Sequence, residues 1–378
     1  MKIALLTMVF NNNYGGILQA YALHRYLTDL GHEVTLINAQ QKFPPLIQAP
    51  YSISKRLFLK YILKKDVDFI IPDWVYRKRR KIREAHTRAF IDAHINPKTK
   101  TVYTNKGIKR VAQGFDCYVV GSDQVWRPTM YPFIDSAFFG FLKNRKVKRV
   151  SYAASFGVDR WEYSEEQTAR FKDEIQRFDC VSVREKSGVE LCKKHFDVEA
   201  YHLIDPTMLL GPEHYKALAE SGIGNRALSK QQLFCYFLDP TDDKQSLQIK
   251  LLSHLGYRVS VFPSYFGRSR NFVYSKVSLW LEGFINSDYV LTDSFHGCVF
   301  SLIFNKPFIV YGNLRRGLDR FNSLLSLFNL EHRLVLSSED FNTDILEEVI
   351  PWDKINEQIF NEQDRAHAFF EMAGIIKN

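Results

Sequence analysis

The order of hydrophobic and polar positions predicts a βαβ unit at the start of the chain. Residues 2–9 form an apolar run typical of a strand that is buried on both faces of a parallel sheet. A polar turn follows, and apolar residues then recur at helical spacing until Gly31 supplies a C-terminal stop. Residues 33–38 resume as a strand, so the connection is expected to be right-handed.

The same alternation continues in two series. The first series predicts strands over 115–121, 149–154 and 180–184, with helices over 165–178 and 187–195. The second predicts strands over 232–238, 257–262, 288–293 and 307–312, with helices over 242–255, 278–285 and 297–304. We therefore predict an α/β fold in which two Rossmann-like domains face one another across a cleft at the carboxyl ends of their strands.

The expected domain limits follow from these series. An N-terminal domain is predicted over 1–210, a C-terminal domain over 211–350 and a closing helix within 351–378. Residues 43–105 break the alternation and are predicted to form a basic, aromatic-rich insertion. A length of 378 residues agrees with two domains of about 100 to 200 residues each.

Composition excludes several classes of protein. Hydrophobic residues make up 46% of the chain and charged residues 25%, as in ordinary globular domains. No apolar stretch approaches the roughly 18 residues that a membrane-spanning helix needs. The five cysteines include no CxxC pair, which indicates reduced thiols instead of a disulfide framework or a zinc site. Since the N-terminus also lacks a secretory cleavage pattern, a cytoplasmic protein is expected.

The formal charge of +9 is concentrated in the insertion. Between Lys55 and Arg83 there are eleven basic residues and three acidic ones. Within 56–65 the apolar residues lie on one flank of a helical pattern and the cations on the other. This pattern favours peripheral contact with an anionic membrane surface over nucleic acid binding. A solvated helix without a partner is the alternative.

The first candidate site is the turn between the first strand and the first helix. A glycine pair lets the backbone approach a ligand closely, and the free amides of a helix start attract anions. The candidate binding residues are Asn12, Tyr14, Gly15 and Gly16. The turn lacks the GxGxxG dinucleotide pattern. The alternative is a tight turn in which Tyr14 only packs.

A second candidate site follows the strand at 115–121. Asp123 is predicted to accept hydrogen bonds from the hydroxyls of a substrate, with Ser122 and Gln124 beside it. Trp126 is predicted to be exposed and to stack on a sugar ring. The alternative makes Asp123 a helix cap and Trp126 a wedge between domains.

Two further candidates lie in the second domain. His296 stands between a strand and a helix, where a histidine can transfer protons, and Ser294 and Gly297 flank it. Arg315, Arg316 and Arg320 could clamp a phosphate or a carboxylate, although a solvated charge run would look the same. No HExxH, GxSxG, Walker or EF-hand pattern is present, so no metal is expected.

These motifs, taken in order, resemble the polysaccharide pyruvyl transferase family. The stretches that carry the resemblance are NNNYGGILQAYAL, VVGSDQVW, SYAASFG, VSVREKSG, LIDPTMLL and TDSFHGCVFSLIFNKPFIVYG. They extend over roughly residues 1 to 325 and leave out the basic insertion and the tail.

The resemblance implies a GT-B-like fold and transfer of pyruvate from phosphoenolpyruvate onto a sugar as a cyclic ketal. Galactose in a bacterial surface polysaccharide, or in its lipid-diphosphate-linked precursor, is the expected acceptor. The resemblance places the functional histidine on His296 and the cation of the donor site on Arg316. For the chemistry that it implies, Asp123 is expected to orient or deprotonate the acceptor hydroxyl, and Trp126 is expected to contact the acceptor ring. No cofactor is implied beyond phosphoenolpyruvate itself, and an enzyme of this kind could work at the inner face of the plasma membrane.

Two rival functions remain at this point. A GT-B glycosyltransferase with a nucleotide-sugar donor would need an acidic residue for the ribose, for which Glu331 and Glu339 are candidates. A non-catalytic module that senses a sugar or an anion would close tightly on its ligand without turnover.

Overall fold

A computed structural model of the chain describes residues 1–10, 12–41, 53–54, 57–58, 61–62, 80–143, 145–220, 231–262, 272–314 and 317–376. Arg315 and Arg316 lie outside these ranges, as does most of the basic segment between Lys55 and Arg83. No helix within these ranges is long and apolar enough to cross a bilayer.

The first domain is built on a parallel sheet of six strands. Its strands are β1 (Lys2–Leu6), β2 (Glu33–Leu36), β3 (Cys117–Asp123), β4 (Lys148–Ala154), β5 (Cys180–Val183) and β6 (Tyr201–His202). Their order in the sheet is β2-β1-β3-β4-β5-β6. Strand β1 is almost entirely buried because both faces of the sheet are covered.

Helices connect these strands. They are α1 (Tyr14–Asp29), α2 (Ala85–His94), α3 (Asn105–Val111), α4 (Ile134–Ala137), α5 (Glu165–Ile175) and α6 (Lys186–Leu191). Local sequence explains where several begin. Ser164 and Gln167 form a capping box at the start of α5, and the Thr104 side chain caps α3. Gly31 ends the first connection with φ +82°, a conformation that glycine adopts without strain.

The second domain holds a parallel sheet of five strands. They are β7 (Gln232–Tyr236), β8 (Arg258–Val261), β9 (Tyr289–Thr292), β10 (Phe308–Tyr311) and β11 (Leu334–Val335), in the order β11-β10-β9-β7-β8. The helices around it are α7 (Pro212–Glu220), α8 (Asp242–Leu255), α9 (Val277–Ile285), α10 (Phe295–Ile303) and α11 (Asp319–Leu327). These two parallel sheets confirm the prediction of two Rossmann-like α/β domains.

The last helix, α12 (Trp352–Met372), returns to the first domain. Phe370 stacks on Tyr152 of β4, with ring centroids 4.9 Å apart. The Lys148 ammonium donates to the carbonyl of Ala373 at 2.9 Å. The chain therefore crosses between the domains twice, once after β6 and once before α12.

Candidate active site

The carboxyl ends of strands β3 and β9 meet where the two domains touch. After β9, the Ser294 hydroxyl accepts from the Gly297 amide at 3.3 Å and caps helix α10. A side chain at position 297 would overlap Thr292, whose hydroxyl lies 2.3 Å from the Cβ position, so glycine is required there. This local geometry holds His296 in the first turn of α10, facing the first domain.

His296 lies beside Asp205, which follows β6. The imidazole Nε2 is 3.6 Å from Asp205 Oδ2. The other oxygen, Oδ1, accepts from the amide and the hydroxyl of Thr207 at 3.0 and 2.7 Å. The Ser122 hydroxyl donates to Oδ2 at 3.4 Å. The Asp205 carboxylate therefore connects the histidine of the second domain to the end of β3 in the first.

Arg184 holds the carboxylates of this cluster together. Its Nη1 donates to Asp205 Oδ2 at 2.8 Å, and its Nη2 donates to Asp123 Oδ1 at 3.3 Å. All three side chains are buried. Burial would raise the pKa of Asp205, but the charges of His296 and Arg184 outweigh it and hold that pKa well below its usual value. Burial alone would raise the pKa of Asp123 as well, but the charges of Arg184 and His296 lower it.

Gly15 packs directly against the His296 ring. A Cβ atom at position 15 would lie 2.1 Å from His296 Cγ, so no other residue leaves room for the imidazole. The first turn of α1 and the first turn of α10 therefore meet at this contact. Gly16 lies in the same turn, where an added Cβ atom would be 3.1 Å from the side-chain nitrogen Nδ2 of Asn13.

Arg320 of α11 reaches into the same cluster. Its guanidinium carbon is 5.7 Å from the centroid of the Phe295 ring, and that of Arg184 is 4.5 Å from the same centroid. Burial and the like charge of Arg184 lower the pKa of Arg320, while Asp123 and Glu185 act in the opposite direction. Two buried guanidinium groups thus lie around one aromatic ring.

Four buried polar atoms of this cluster have no hydrogen-bond partner within the described ranges. They are Arg184 Nε, Glu185 Oε2, His296 Nε2 and Arg320 Nε. Two of these atoms still lie at ion-pair distance from a carboxylate, with Arg184 Nε 3.6 Å from Glu185 Oε1 and His296 Nε2 3.6 Å from Asp205 Oδ2. A buried guanidinium donor without a hydrogen-bond partner, such as Arg320 Nε, is suited to an anion with several oxygens.

The structure corrects the prediction for Trp126. The indole is fully buried within the first domain, stacked on Phe138 with centroids 5.3 Å apart. Its Nε1 donates to the carbonyl of Ala137 at 3.3 Å. The prediction of an exposed ring available to a sugar is wrong, because the loop after β3 folds the indole inward. The wedge alternative is wrong as well, since Phe138 belongs to the same domain.

The side chains of Tyr14 and Gln124 also form contacts within the protein. Tyr14 is buried and stacks on Trp280 of the second domain at 5.9 Å, while its hydroxyl donates to the Ser275 carbonyl at 3.0 Å. This matches the packing alternative for Tyr14, and its predicted contact with substrate remains a prediction. Gln124 Oε1 accepts from Arg127 at 3.0 Å.

The other predicted residues fall into two groups. The structure brings together Gly15, Ser122, Asp123, Ser294, His296 and Gly297. Asn12 is half-buried in the turn before α1. Arg315 and Arg316 are outside the described residues, so their predicted anion binding remains a prediction.

Sequence reasoning missed Asp205, Arg184 and Glu185 as site residues. Two signals were available. Arg184 and Glu185 directly follow the apolar strand CVSV, and Asp205 stands between an apolar pair and a proline. Charged side chains at the carboxyl ends of buried strands are expected near ligand sites of α/β folds. Within the described ranges, no group of three His, Cys, Asp or Glu side chains could hold a metal ion.

Comparison with known proteins agrees with this geometry. The family model described as polysaccharide pyruvyl transferase matches residues 13–315. This chain belongs to the polysaccharide pyruvyl transferase family. The match includes Gly15, His296 and the Arg184–Asp205 pair, while Arg320 lies beyond the matched residues.

The pyruvyl transferase chain also resembles solved structures of other enzymes. UDP-GlcNAc 2-epimerase from Neisseria meningitidis bound to UDP-GlcNAc is 11% identical, with a TM-score of 0.46 and coverage of 100% of this chain and 95% of that chain. HepE from Anabaena in complex with UDP and glucose is 11% identical, with a TM-score of 0.46 and coverage of 99% and 97%. No curated protein matches the chain.

Proposed function

We propose that this polysaccharide pyruvyl transferase moves pyruvate from phosphoenolpyruvate onto two hydroxyls of a sugar, forming a cyclic ketal. The main support is the family match, together with the buried cluster that Arg184, His296 and Arg320 share. Phosphoenolpyruvate carries a phosphate and a carboxylate, and guanidinium groups match both in a forked manner. Arg184 and Arg320 are therefore the proposed donor-binding residues among those described.

His296 is the proposed acid. The buried Asp205 carboxylate lies 3.6 Å from Nε2 and orients the imidazole. The imidazolium gives its proton to the methylene carbon of phosphoenolpyruvate, and a sugar hydroxyl forms a C–O bond to the adjacent carbon. Phosphate then leaves with the electrons of its C–O bond, and a second sugar hydroxyl closes the ketal.

The protons and atoms of this reaction balance without a redox partner. The two sugar hydroxyls lose two protons, of which one ends on the new methyl group and the other on inorganic phosphate or solvent. The depressed pKa of Asp123 makes its carboxylate a weak base, which favours orienting the acceptor hydroxyl over deprotonating it. His296 can accept the hydroxyl proton once it has protonated the donor.

Release of inorganic phosphate tests this function. Purified protein incubated with phosphoenolpyruvate and a panel of galactosides should release phosphate only with a matching acceptor, and the product should gain one pyruvate ketal by mass spectrometry. The same panel run with UDP-galactose tests the rival glycosyltransferase through release of UDP. Phosphate release that stays at background with every acceptor, including lipid-linked ones, would contradict the proposal.

The described residues give the rival reaction little support. Glu339 lies on the surface and pairs with Lys250 at 2.9 Å, and Glu331 is exposed on a short turn before β11. Neither candidate for ribose binding belongs to the His296 cluster. Family membership favours pyruvyl transfer over nucleotide-sugar chemistry.

We further propose that the basic segment holds the enzyme against an anionic membrane, where a lipid-linked acceptor is presented. Four apolar side chains of this segment are exposed: Leu57, Phe58, Tyr61 and Ile62, at 37%, 49%, 67% and 66%. The Ile62 amide donates to the Phe58 carbonyl at 3.0 Å, as in a helical turn. Apolar side chains beside many cations are typical of segments that lie at a membrane surface.

Vesicle sedimentation tests this contact. Exchanging Phe58 and Ile62 for serine, or reversing the charges of Lys60 and Lys64, should weaken binding to phosphatidylglycerol vesicles by at least about tenfold. Turnover on a soluble acceptor should stay unchanged. Phe360→Ser removes an aromatic ring that is 61% exposed on α12 and serves as the control. Equal vesicle binding by all these proteins would refute the membrane contact.

A further inference from the structure

A cavity of about 470 Å³ lies outside the His296 cluster, in the first domain. It opens beyond the carboxyl ends of β1 and β2, beside helix α2. Its lining includes Phe10, Asn38, Gln40, Glu84, Thr101 and Tyr103. Ligands of α/β sheets bind at this edge, and a volume of this size is typical of small-molecule sites.

The polar wall of this cavity has a fixed orientation. The Asn38 amide donates to the Thr101 hydroxyl at 3.0 Å, and the Gln40 amide donates to Asn38 Oδ1 at 3.2 Å. Side chains held in this way present both donors and acceptors. Sugar hydroxyls need both, because each one donates and accepts. Phe10 and the half-exposed Tyr103 supply aromatic surface for the apolar face of a sugar ring.

Three of the four cations that line the cavity pair with carboxylates. The buried Glu84 carboxylate pairs with Arg80 at 2.5 Å and with Arg88 at 3.0 Å. Lys98 pairs with Asp92 at 2.7 Å, and the fourth cation in the lining is Lys81. An anion would have to compete with Glu84 and Asp92 for three of these cations, whereas the Asn38–Thr101 wall suits an uncharged polyhydroxyl ligand.

The cavity borders the elements that build the His296 cluster. Arg80 donates to the carbonyl of Phe10 at 3.1 Å, and the loop that contains Phe10 leads directly into the turn with Gly15. The Tyr274 amide of the second domain donates to the Arg83 carbonyl at 2.9 Å. Its neighbour Ser275 accepts from the Tyr14 hydroxyl. The first-domain elements around the cavity therefore also contact the second domain.

We propose that this cavity binds the acceptor, as a neutral saccharide whose ring lies between Tyr103 and the Asn38–Thr101 wall. This proposal rests on the proposed function, since the bound sugar would present its hydroxyls toward the cluster at His296. The cavity would then select the sugar, while Arg184 and Arg320 select the donor.

Thiol protection tests this site without requiring turnover. All five native cysteines are buried, so Thr101→Cys introduces a thiol that a maleimide can label selectively. The probes are p-nitrophenyl β-galactoside, β-glucoside and α-mannoside. At least one of them should slow labelling of T101C about fivefold or more, and it should also do so in the T101C/H296A double variant. Labelling of a cysteine placed at Phe360, on α12, should not respond.

Kinetics on the active enzyme separate the two proposals. Tyr103→Ala and Asn38→Ala should each raise KM for the saccharide about tenfold, because each removes one contact, and leave KM for phosphoenolpyruvate unchanged. Equal labelling of T101C with and without each of the three saccharides would overturn the proposed site, even if phosphate release occurs. Protection without phosphate release would support the cavity and contradict pyruvyl transfer.

Discussion

Replacing His296 by alanine should lower kcat for phosphate release by about 10²- to 10⁴-fold, the range that general acid–base groups contribute. The loss should fall on kcat, because the proposed donor-binding groups are the guanidinium groups of Arg184 and Arg320 and not the imidazole. Binding of phosphoenolpyruvate, measured by calorimetry, should therefore be retained. A stopped assay for inorganic phosphate checks the first expectation.

Two alanine substitutions of glycine serve as matched tests of the same geometry. Gly15→Ala places a methyl group 2.1 Å from His296 Cγ, so it should displace the ring and lower kcat nearly as far as removing it. Gly211→Ala meets nothing within 4 Å and should leave kcat unchanged. A Gly15→Ala enzyme with normal turnover and normal melting temperature would show that the ring position is not needed for catalysis.

Replacing Arg320 by methionine should raise KM for phosphoenolpyruvate by about 10- to 100-fold, the value of one charge-assisted hydrogen bond of about 1.5–3 kcal/mol. The same change should not lower the free energy of unfolding. Arg320 is buried beside the like charge of Arg184, and its Nε has no partner among the described residues, so in the unliganded protein this cation is unfavourable. Steady-state kinetics and urea denaturation measure the two effects.

Arg320→Lys separates charge from geometry. It keeps the cation but loses the forked arrangement of donors, so its KM should lie between those of the wild type and the methionine variant. If Arg320→Met bound phosphoenolpyruvate normally but unfolded at lower urea, Arg320 would be a structural residue and the donor would be bound elsewhere.

Much of the fold follows from periodicity along the chain. The apolar strand of β1, the helix ended by Gly31 and helix α8 were all predicted, because each depends on neighbours within a few residues. The two-residue strands β6 and β11 were not predicted, since their pairing depends on strands distant in sequence. His296 was also predictable, from its place between a strand and a helix.

The remainder of the site depends on tertiary packing. Arg184 and Asp205 leave two different strands of one sheet edge, and only the fold brings them 2.8 Å apart. Trp126 shows the opposite failure. A tryptophan in a loop next to a polar motif suggested a ligand contact, but the Trp126 indole turns into the first domain and stacks on Phe138. Local sequence does not specify which way a loop side chain faces.

The two crossings of the chain between the domains have a consequence for access to the donor. His296 and Asp205 are 4% and 1% exposed, so the proposed donor would need the two domains to move apart before it could contact them. Two chain connections favour rotation about a hinge over a simple translation. His296 and Asp205 lie in different domains, so such a rotation would separate the proposed acid from its carboxylate partner. The pair would then form again only when the domains close around the donor.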